Sequence, residues 1–307
     1  MRKEVYELTN RTRVKLSNAL NESKYKLSPT TINILHLFLA QIYTEDVEFK
    51  RFVISFKDME QKLGKRIDRR SLDSICKELL SNPIKVEEYE IPSELEKFAD
   101  PYYYQKVVKK INYYNWASKA SYCLEEKTFE LEIHEDLKKH LLQLKKNFTT
   151  FSYKQITNLK SQYAKRLYML LKQYMNTESP FWIINVEDLL YVLDVEDKYG
   201  KDFNDFRRKV LKIAQEQINK NSDIEFTFKE IKRGRKVIRL EFKMNYKEER
   251  EKELNDKSFR RQRAKMREKT RVKQQHKSGV LDAEAWLQKR KQQTEVVDIE
   301  TELPALS

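Results

Sequence analysis

The stretch FNDFRRKVLKIAQEQINKNSDIEFTFKEIKRGRKVIRLEFKM, residues 203–244, decides the fold. Its first half carries apolar residues at helical spacing, which predicts a helix from Phe203 to about Lys220. Its second half alternates apolar and polar residues on both sides of KRGRK, residues 232–236, which predicts a β-hairpin with Gly234 in its turn. The folded part of the chain is therefore expected to end with a helix followed directly by a hairpin.

Three more elements are predicted just before this helix. They are a helix from Ser161 to about Met175, a strand from Phe181 to Val186, and a short helix from Glu187 to Leu193 that Asn185 caps. Helix, strand, helix, helix and hairpin follow one another in this order in a winged helix. The second half of the folded chain is therefore predicted to be one winged-helix domain.

The same order of elements is predicted once more, nearer the N-terminus. Its elements are a helix from Ser28 to Tyr43 with Pro29 at its first position, a strand from Phe52 to Ile54, helices from Ser55 to Gly64 and from Asp68 to Leu80, and strands over 106–116, 120–124 and 128–133. Residues 87–100 are acidic, contain a proline and predict a loop, and residues 135–146 predict a connecting helix. The chain thus contains two copies of one architecture.

The expected fold class is α+β, with two tandem winged-helix domains and a charged C-terminal tail. The predicted domains are residues 1–133 and 134–248, and the predicted tail is residues 249–307. In the tail, residues 260–277 hold nine Lys or Arg against one acid, Glu268. Such a segment favours phosphate contacts, a partner protein or a solvated coil.

The net charge indicates what kind of partner to expect. The 307 residues carry a formal net charge of +14, and 36% of them are charged. A basic balance of this size favours a polyanionic partner, which can be DNA, RNA or an anionic membrane surface. The alternative is a basic surface that only keeps the protein in solution.

The rarity of glycine, cysteine and histidine argues against several chemistries. Only four glycines occur and they are not clustered, so neither a GxGxxG motif nor a P-loop exists. Two cysteines and four scattered histidines predict no disulfide framework, no metal site and no other cofactor. No His-apolar-His pair accompanies the tyrosines, so a relaxase or nuclease is not favoured and the protein is expected not to be an enzyme. The N-terminus lacks an apolar signal core, which favours a bacterial cytoplasmic location.

The helix predicted to begin at Phe203 carries the best candidate site. Its buried face is predicted to be Phe203, Phe206, Val210, Ile213 and Ala214. Its opposite face has a polar stripe without an acid, formed by Asn204, Arg208, Lys212, Gln215 and Asn219, with Arg207 and Lys209 beside it. Arg, Lys, Asn and Gln present the donors that read base edges in the major groove. The predicted DNA contacts of this helix are Asn204, Arg207, Arg208, Lys212 and Gln215, and the alternative is a solvated helix face.

Two other basic groups extend the predicted site. The hairpin tip contains Lys232, Arg233, Arg235 and Lys236, which suit phosphate or minor-groove contact by a wing. An ordinary basic turn is the alternative. In the first copy, Arg69 and Arg70 lie at the start of the third helix, where the equivalent DNA contact is expected, although acids lie among them.

Several motifs resemble those of a known family. NFTTFSYKQITNLKSQYAKRLYMLLKQY, residues 147–174, closely resembles the start of the second domain in theta-type plasmid Rep initiators, the family that includes the initiator of the F plasmid. DFRRKVLKIAQEQIN, residues 205–219, is similar to the recognition-helix motif of that family, and KRGRKVIRLEF, residues 232–242, is similar to its wing. NALNESKYKLSPTTINIL, residues 18–35, resembles its N-terminal opening, so the resemblance covers about residues 10–245.

The resemblance implies a replication initiator whose two winged helices bind repeated origin DNA (iterons) as a monomer. It also implies a homodimer, formed through the first domain and in equilibrium with the monomer, that represses its own gene. Implied partners are the host initiator, the replicative helicase and chaperones, and Arg207 and Arg208 are implied base or phosphate contacts. A winged-helix transcriptional repressor without a replication role fits the same sequence, and charge alone also fits an RNA-binding or membrane-surface protein.

Overall fold

The structure is a computed structural model that describes residues 5–6, 12–90, 107–175 and 180–247. The predicted tail and residues 91–100 of the predicted acidic loop lie outside the described residues. Within the described ranges, no helix is both long enough and apolar enough to cross a membrane.

The helices of the first copy begin and end where local signals in the sequence place them. The elements before residue 134 are β1 (Val5–Tyr6), β2 (Arg13–Ser17), α1 (Asn18–Asn21), α2 (Pro29–Leu39), β3 (Arg51–Ser55), α3 (Phe56–Leu63), α4 (Arg69–Ser81), β4 (Ile84–Glu90), β5 (Val107–Tyr114), β6 (Ala117–Cys123) and β7 (Thr128–Ile133). Ser28, Ser55 and Asp68 each cap a helix by accepting a backbone N–H three residues on. Gly64 ends α3 with φ 66°, in the left-handed region.

The sheet of the first winged helix contains β3, β7 and β6, and β1 pairs parallel with β3 at its edge. β3 pairs antiparallel with β7, and β7 pairs antiparallel with β6. Phe52 and Leu131 are register partners in the first of these ladders, and both are buried. β6 and β7 are therefore the wing of this domain. β4 and β5, which follow α4 in the chain and precede the wing, form a separate two-stranded ladder.

A strand joins the N-terminal segment to the start of the second copy. The connecting elements are a 3₁₀ turn (Glu135–Leu137), α5 (Lys138–Leu141), β8 (Phe148–Ser152) and α6 (Tyr153–Asn158). β8 pairs antiparallel with β2, and Val14 is opposite Phe151. The connecting helix predicted to reach residue 146 ends at Leu141, because Gln143 and Asn147 adopt positive φ values of 47° and 50°.

The second copy repeats the topology of the first. Its elements are α7 (Gln162–Tyr174), β9 (Phe181–Asn185), α8 (Val186–Val192), α9 (Glu196–Tyr199), α10 (Phe203–Phe206), a π turn (Arg207–Leu211), α11 (Lys212–Asn221), β10 (Ile224–Arg233) and β11 (Lys236–Tyr246). α10, the π turn and α11 run on without a break and are called the 203–221 helix below. The strand order β10-β11-β9 matches the order β6-β7-β3 of the first copy, so the predicted tandem winged-helix fold is confirmed.

α7 is the central helix of the described chain. Its residues 164–172 are all buried, as expected of a helix that is covered on every side. Three of these residues are cations. Lys172 lies 3.2 Å from the carboxylate of Asp223. Arg166 stacks on Tyr25, and its guanidinium carbon is 3.9 Å from the centroid of that ring.

The buried guanidinium of Arg166 ties α7 to the segment after α1. It donates to the hydroxyl of Tyr25 at 2.6 Å and to the carbonyls of Ser23 at 2.8 Å and Asn21 at 3.2 Å. All of these acceptors belong to the N-terminal copy. A side chain of α7 thus satisfies buried polar groups of the N-terminal segment.

Lys165 is the third buried cation of α7. Its ammonium donates to the side-chain oxygen of Asn33 on α2 at 2.7 Å and to the carbonyl of Ile156. Burial lowers the pKa of Lys165 to about 7, and the positive charge of Lys65 acts in the same direction. At neutral pH this side chain is therefore close to losing its proton.

Asn33→Asp is expected to stabilise the protein by about 1–2 kcal/mol near pH 6, because a carboxylate then faces the buried ammonium of Lys165. The pKa of Lys165 in the folded chain lies below its ordinary value of 10.5, so the cost of burying the charge is full below pH 7 and falls as pH rises. The increase in the free energy of unfolding caused by Asn33→Asp should therefore be smaller at pH 9. Thermal melts of both forms at the two pH values test this, and a gain independent of pH would contradict it.

Two sequence predictions in the first copy are wrong. Residues 87–90 belong to β4 and pair with β5, although they were expected in a loop; their partner strand lies beyond residue 106, so local composition does not reveal it. α2 ends at Leu39 and not at Tyr43. The N–H of Tyr43 donates instead to the carboxylate of Asp46 at 2.7 Å, and such local side-chain acceptors compete with the helix.

Candidate nucleic-acid interface

The 203–221 helix is the third helix of the second winged helix. Asp202 caps it by accepting the backbone N–H of Asp205. Its buried residues are Phe206, Val210, Leu211, Ala214 and Ile218. The remaining faces of the helix are turned to the hairpin β10–β11, to solvent, or to the segment before α7, where Gln217 accepts the backbone N–H groups of Lys160 and Ser161.

A π turn over residues 207–211 changes which residues face solvent. A π turn accommodates one more residue than a turn of α-helix, so it shifts the phase of everything after it. The shift is visible in the burial of both Val210 and Leu211. The polar stripe that a regular helix would present from Asn204 to Asn219 is therefore interrupted.

Beyond the π turn, two residues of the predicted stripe hold the hairpin. The amide of Gln215 donates to the carbonyl of Phe226 at 3.0 Å. Asn219 donates to the same carbonyl at 3.0 Å and accepts the N–H of Phe226 at 2.9 Å. Ile213 was predicted to be buried, and this prediction is wrong because the phase shift leaves 41% of Ile213 exposed.

Asn219→Ala is expected to destabilise the protein by about 1–3 kcal/mol, because the N–H of Phe226 loses the acceptor that Asn219 provides. Urea unfolding measures the free energy. Asn204→Ala removes the same side chain from an exposed position of the same helix and should change stability by less than about 0.5 kcal/mol. Equal effects of the two replacements would contradict the bridging role of Asn219.

The N-terminal half of the helix presents three cations, two of which contact the same acid. Arg208, with 73% of its side chain exposed, lies 2.7 Å from one oxygen of Asp205, and Lys209 lies 2.5 Å from the other. The contacts of Lys209 and Arg208 hold the pKa of the Asp205 carboxyl below its usual range. Arg207 contacts Glu230 of β10 at 3.2 Å. Exposed pairs of this kind are weak, so these cations can exchange a carboxylate for a phosphate or a base edge.

The hairpin tip places its basic side chains beside the start of this helix. Lys232, Arg233, Arg235 and Lys236 are all exposed. Gly234 takes φ 61° in the two-residue turn between the paired residues 233 and 236. An open cleft of about 710 Å³ lies between the tip, α8 and the helix start, and it brings together Asn204, Arg207, Lys232, Arg235 and Lys236 with the acids Glu187, Asp188 and Glu230.

The first copy presents a different surface. Arg69 and Arg70 are exposed at the start of α4, as predicted. Its wing tip, residues 124–127, reads LEEK and holds two acids where the second copy has KRGRK. An acidic tip does not suit contact with phosphate, whereas the start of α4 presents exposed cations. Sequence reasoning missed this contrast, although the residue types at the two turns show it.

A polar cluster fixes the two copies relative to each other. The hydroxyl of Tyr191 on α8 donates to Glu87 of β4 at 2.5 Å. Lys24 lies 2.7 Å from Glu196 of α9, and the ammonium groups of Lys24 and Lys85 each lie 4.9 Å from the centroid of the Tyr191 ring. The orientation of α4 relative to the 203–221 helix therefore depends on contacts between side chains of both copies.

The described residues show no group suited to a metal ion, and the thiol of Cys76 is not activated. In the part of the chain that the structure describes, His, Cys, Asp and Glu form no group of three that could hold a metal. Burial raises the pKa of the Cys76 thiol to about 11, which keeps it protonated and unreactive at neutral pH. Burial lowers the pKa of His36 to about 4, so this imidazole is a neutral core residue.

Two winged helices, one with exposed cations on its third helix beside a basic wing, define a DNA-binding protein of the winged-helix class. Residues 13–172 match the family described as "Initiator Replication protein, WH1", and residues 185–244 match "Initiator Rep protein, WH2". Since the first match alone covers more than half of the chain, the chain belongs to the initiator replication protein family. The resemblance to Rep initiators is thereby confirmed.

Individual relatives agree with this assignment. The PI protein of Escherichia coli is 27% identical to this chain over 262 residues, which cover 78% of this chain and 85% of that protein. The crystal structure of the Pi initiator protein in complex with iteron DNA has a TM-score of 0.60 and 22% sequence identity to this chain, and the match covers 78% of this chain and 99% of that one. The structural match shows that the two proteins share a fold.

Proposed function

We propose that this initiator recognises repeated sites at a plasmid origin and binds them through both winged helices. The observation that carries the proposal is the set of exposed cations at the start of the 203–221 helix, adjacent to the basic wing tip. A protein of the same fold was solved on iteron DNA, which supports the same class of ligand here. Binding would help to open the origin and bring in the host replication proteins.

The contacts are divided between affinity and specificity. Phosphate contacts come from the wing tip and Arg207, and in the first copy from Arg69 and Arg70; they provide affinity that depends on salt. Base contacts come from Asn204, Arg208 and Lys212, which lie where a third helix enters the major groove. The ammonium of Lys212 lies 5.2 Å from the centroid of the Phe228 ring, so the hairpin holds its stem. Gln215 was also predicted to contact DNA, but its amide is engaged with the carbonyl of Phe226.

Arg208→Ala is expected to weaken binding to an origin repeat by about 1–3 kcal/mol, or about 5- to 150-fold, and to flatten the preference for that repeat. The probe is a duplex carrying the short direct repeats found beside the gene, and a scrambled duplex is the comparison. Fluorescence anisotropy over a salt series measures both affinities.

Lys201→Ala is the matched control, because Lys201 is an exposed cation that lines the same cleft but precedes the helix and does not lie on its base-facing surface. We expect this control to weaken both duplexes slightly and equally. If wild type binds the two duplexes equally at every salt concentration, the proposal of base recognition fails. If Arg208→Ala weakens both equally, Arg208 is a phosphate contact only.

The proposal includes a homodimer formed through the first domain, which would repress the gene of the protein. β5 supports this surface, because Ile111 and Tyr113 are 46% and 66% exposed on one face of it. In the described residues β5 pairs on one edge only, with β4, and such an edge is open to a second copy. Tyr113→Lys should shift the sedimentation of the protein towards that of the monomer. Tyr163→Lys on α7 is the comparison that shows how loss of the fold would appear in the same measurement.

The protein is also proposed to have particular partner proteins and a particular cellular location. The protein acts in the bacterial cytoplasm without a reaction of its own, and it contacts the host initiator, the replicative helicase and chaperones. The family resemblance supports these parts. Replication of a marker plasmid that carries the repeats separates an initiator from a repressor, because a repressor would silence a reporter gene without sustaining the plasmid.

A further inference from the structure

Ile213 occupies an unusual place for an aliphatic side chain. It lies in the middle of the 203–221 helix with 41% of its surface exposed, and it has Lys209 one turn before it and Glu216 one turn after it. A β-branched residue is not favoured at an exposed helix position, since alanine and the straight-chain residues have higher helix propensity. Neither the core nor the propensity of the helix explains isoleucine at this position.

The faces of the helix show where Ile213 is directed. Leu211, Ala214 and Ile218 are buried in the core, and Gln215 and Asn219 face β10 through their bonds to Phe226. Gln217 accepts the backbone N–H groups of Lys160 and Ser161 before α7. Residues 209, 212, 213, 216 and 220 form an exposed arc. This arc continues from the exposed Arg208 and is the part of the helix that can enter a groove.

We propose that Ile213 reads a thymine in the bound repeat by apolar contact with its C5-methyl group. The major-groove edge of thymine is the only one among the four bases that carries a methyl group, so an aliphatic side chain directed into the groove discriminates thymine from cytosine. The cations beside it, Arg208 and Lys212, position the helix, and Ile213 contributes shape and apolar contact. The π turn is what brings this residue out of the core. This inference rests on the proposed recognition of a repeat by the same helix.

Replacing each thymine of the repeat in turn by deoxyuridine, which lacks only the methyl group, tests the inference. With the full-length protein, one position should lose about 3- to 10-fold in affinity, the effect expected for about one buried methyl group. Ile213→Ala should lose a similar factor on the natural repeat and should be indifferent to deoxyuridine at that position, while retaining the wild-type response at every other thymine.

Val47→Ala is the matched control, since Val47 is a β-branched side chain of the first copy that is 63% exposed. It should bind like wild type, and both variants should melt within a few degrees of wild type. If Ile213→Ala keeps the full sensitivity to deoxyuridine, or wild type shows none, the inference is overturned while selective binding by the wild type still stands. If wild type does not select the repeat at all, both the inference and the proposed function fail.

Discussion

Replacing Lys232, Arg233, Arg235 and Lys236 together by alanine is expected to lower affinity for origin DNA about 100- to 1000-fold at physiological salt. Each phosphate contact releases about one counterion, so the slope of log K against log salt should become shallower by about 3. These four side chains are exposed around Gly234 and next to the exposed cations of the 203–221 helix. Because phosphates carry no sequence information, the preference for the repeat over scrambled DNA should change little.

A control for the loss of charge is available outside the hairpin β10–β11. Lys119 of β6 and Lys139 of α5 are each 52% exposed in surface ion pairs, and their joint replacement by alanine removes two charges without touching that hairpin. It should reduce affinity only a few-fold and leave the salt slope nearly unchanged. If the control and the wing variant lose affinity equally per charge removed, binding depends on overall charge and the wing has no special role.

Arg166→Met is expected to destabilise the protein by about 3 kcal/mol or more. Two backbone carbonyls and the hydroxyl of Tyr25 lose their donor, and each buried unpaired group costs about 1–3 kcal/mol. Removing a buried charge that has no acidic partner among the described residues acts in the opposite direction. That relief is the smaller effect, because a guanidinium is weakly hydrated and its hydrogen bonds and the Tyr25 ring already stabilise it here.

Urea unfolding followed by circular dichroism measures this loss. Lys154→Met makes the same change at an exposed position of α6 and should alter stability by less than about 0.5 kcal/mol. Arg166→Lys should fall between wild type and Arg166→Met, since an ammonium cannot reach all three acceptors from one position. A free energy of unfolding for Arg166→Met that equals that of Lys154→Met would show that water replaces the lost donor.

The parts of the fold that the sequence predicts well depend on local interactions. Caps at Ser28, Ser55 and Asp68 act on backbone groups three residues away, so a short window contains the whole signal. The hairpin around Gly234 is local in the same sense. β4 was missed because its partner β5 is distant in the chain and because four of its seven residues are charged.

The phase of the helix that carries the candidate site is the part that helical periodicity does not predict. VLKIA, residues 210–214, has apolar residues at four of its five positions, so the sequence does not show that Ile213 is the one left exposed. In the folded chain, the π turn buries both Val210 and Leu211, and Gln215 and Asn219 bond to Phe226, a strand residue several positions later. Helical periodicity cannot report such tertiary contacts.

The pairing of β2 with β8 has a consequence for how the chain acquires its fold during synthesis. The partners in this ladder are at least 131 residues apart, so β2 leaves the ribosome long before its partner exists. Closing so long a loop is entropically costly, and this pairing should form after the local hairpins. A nascent or truncated chain that stops at residue 133 would expose β2 as an open edge, where it can pair with another chain and aggregate.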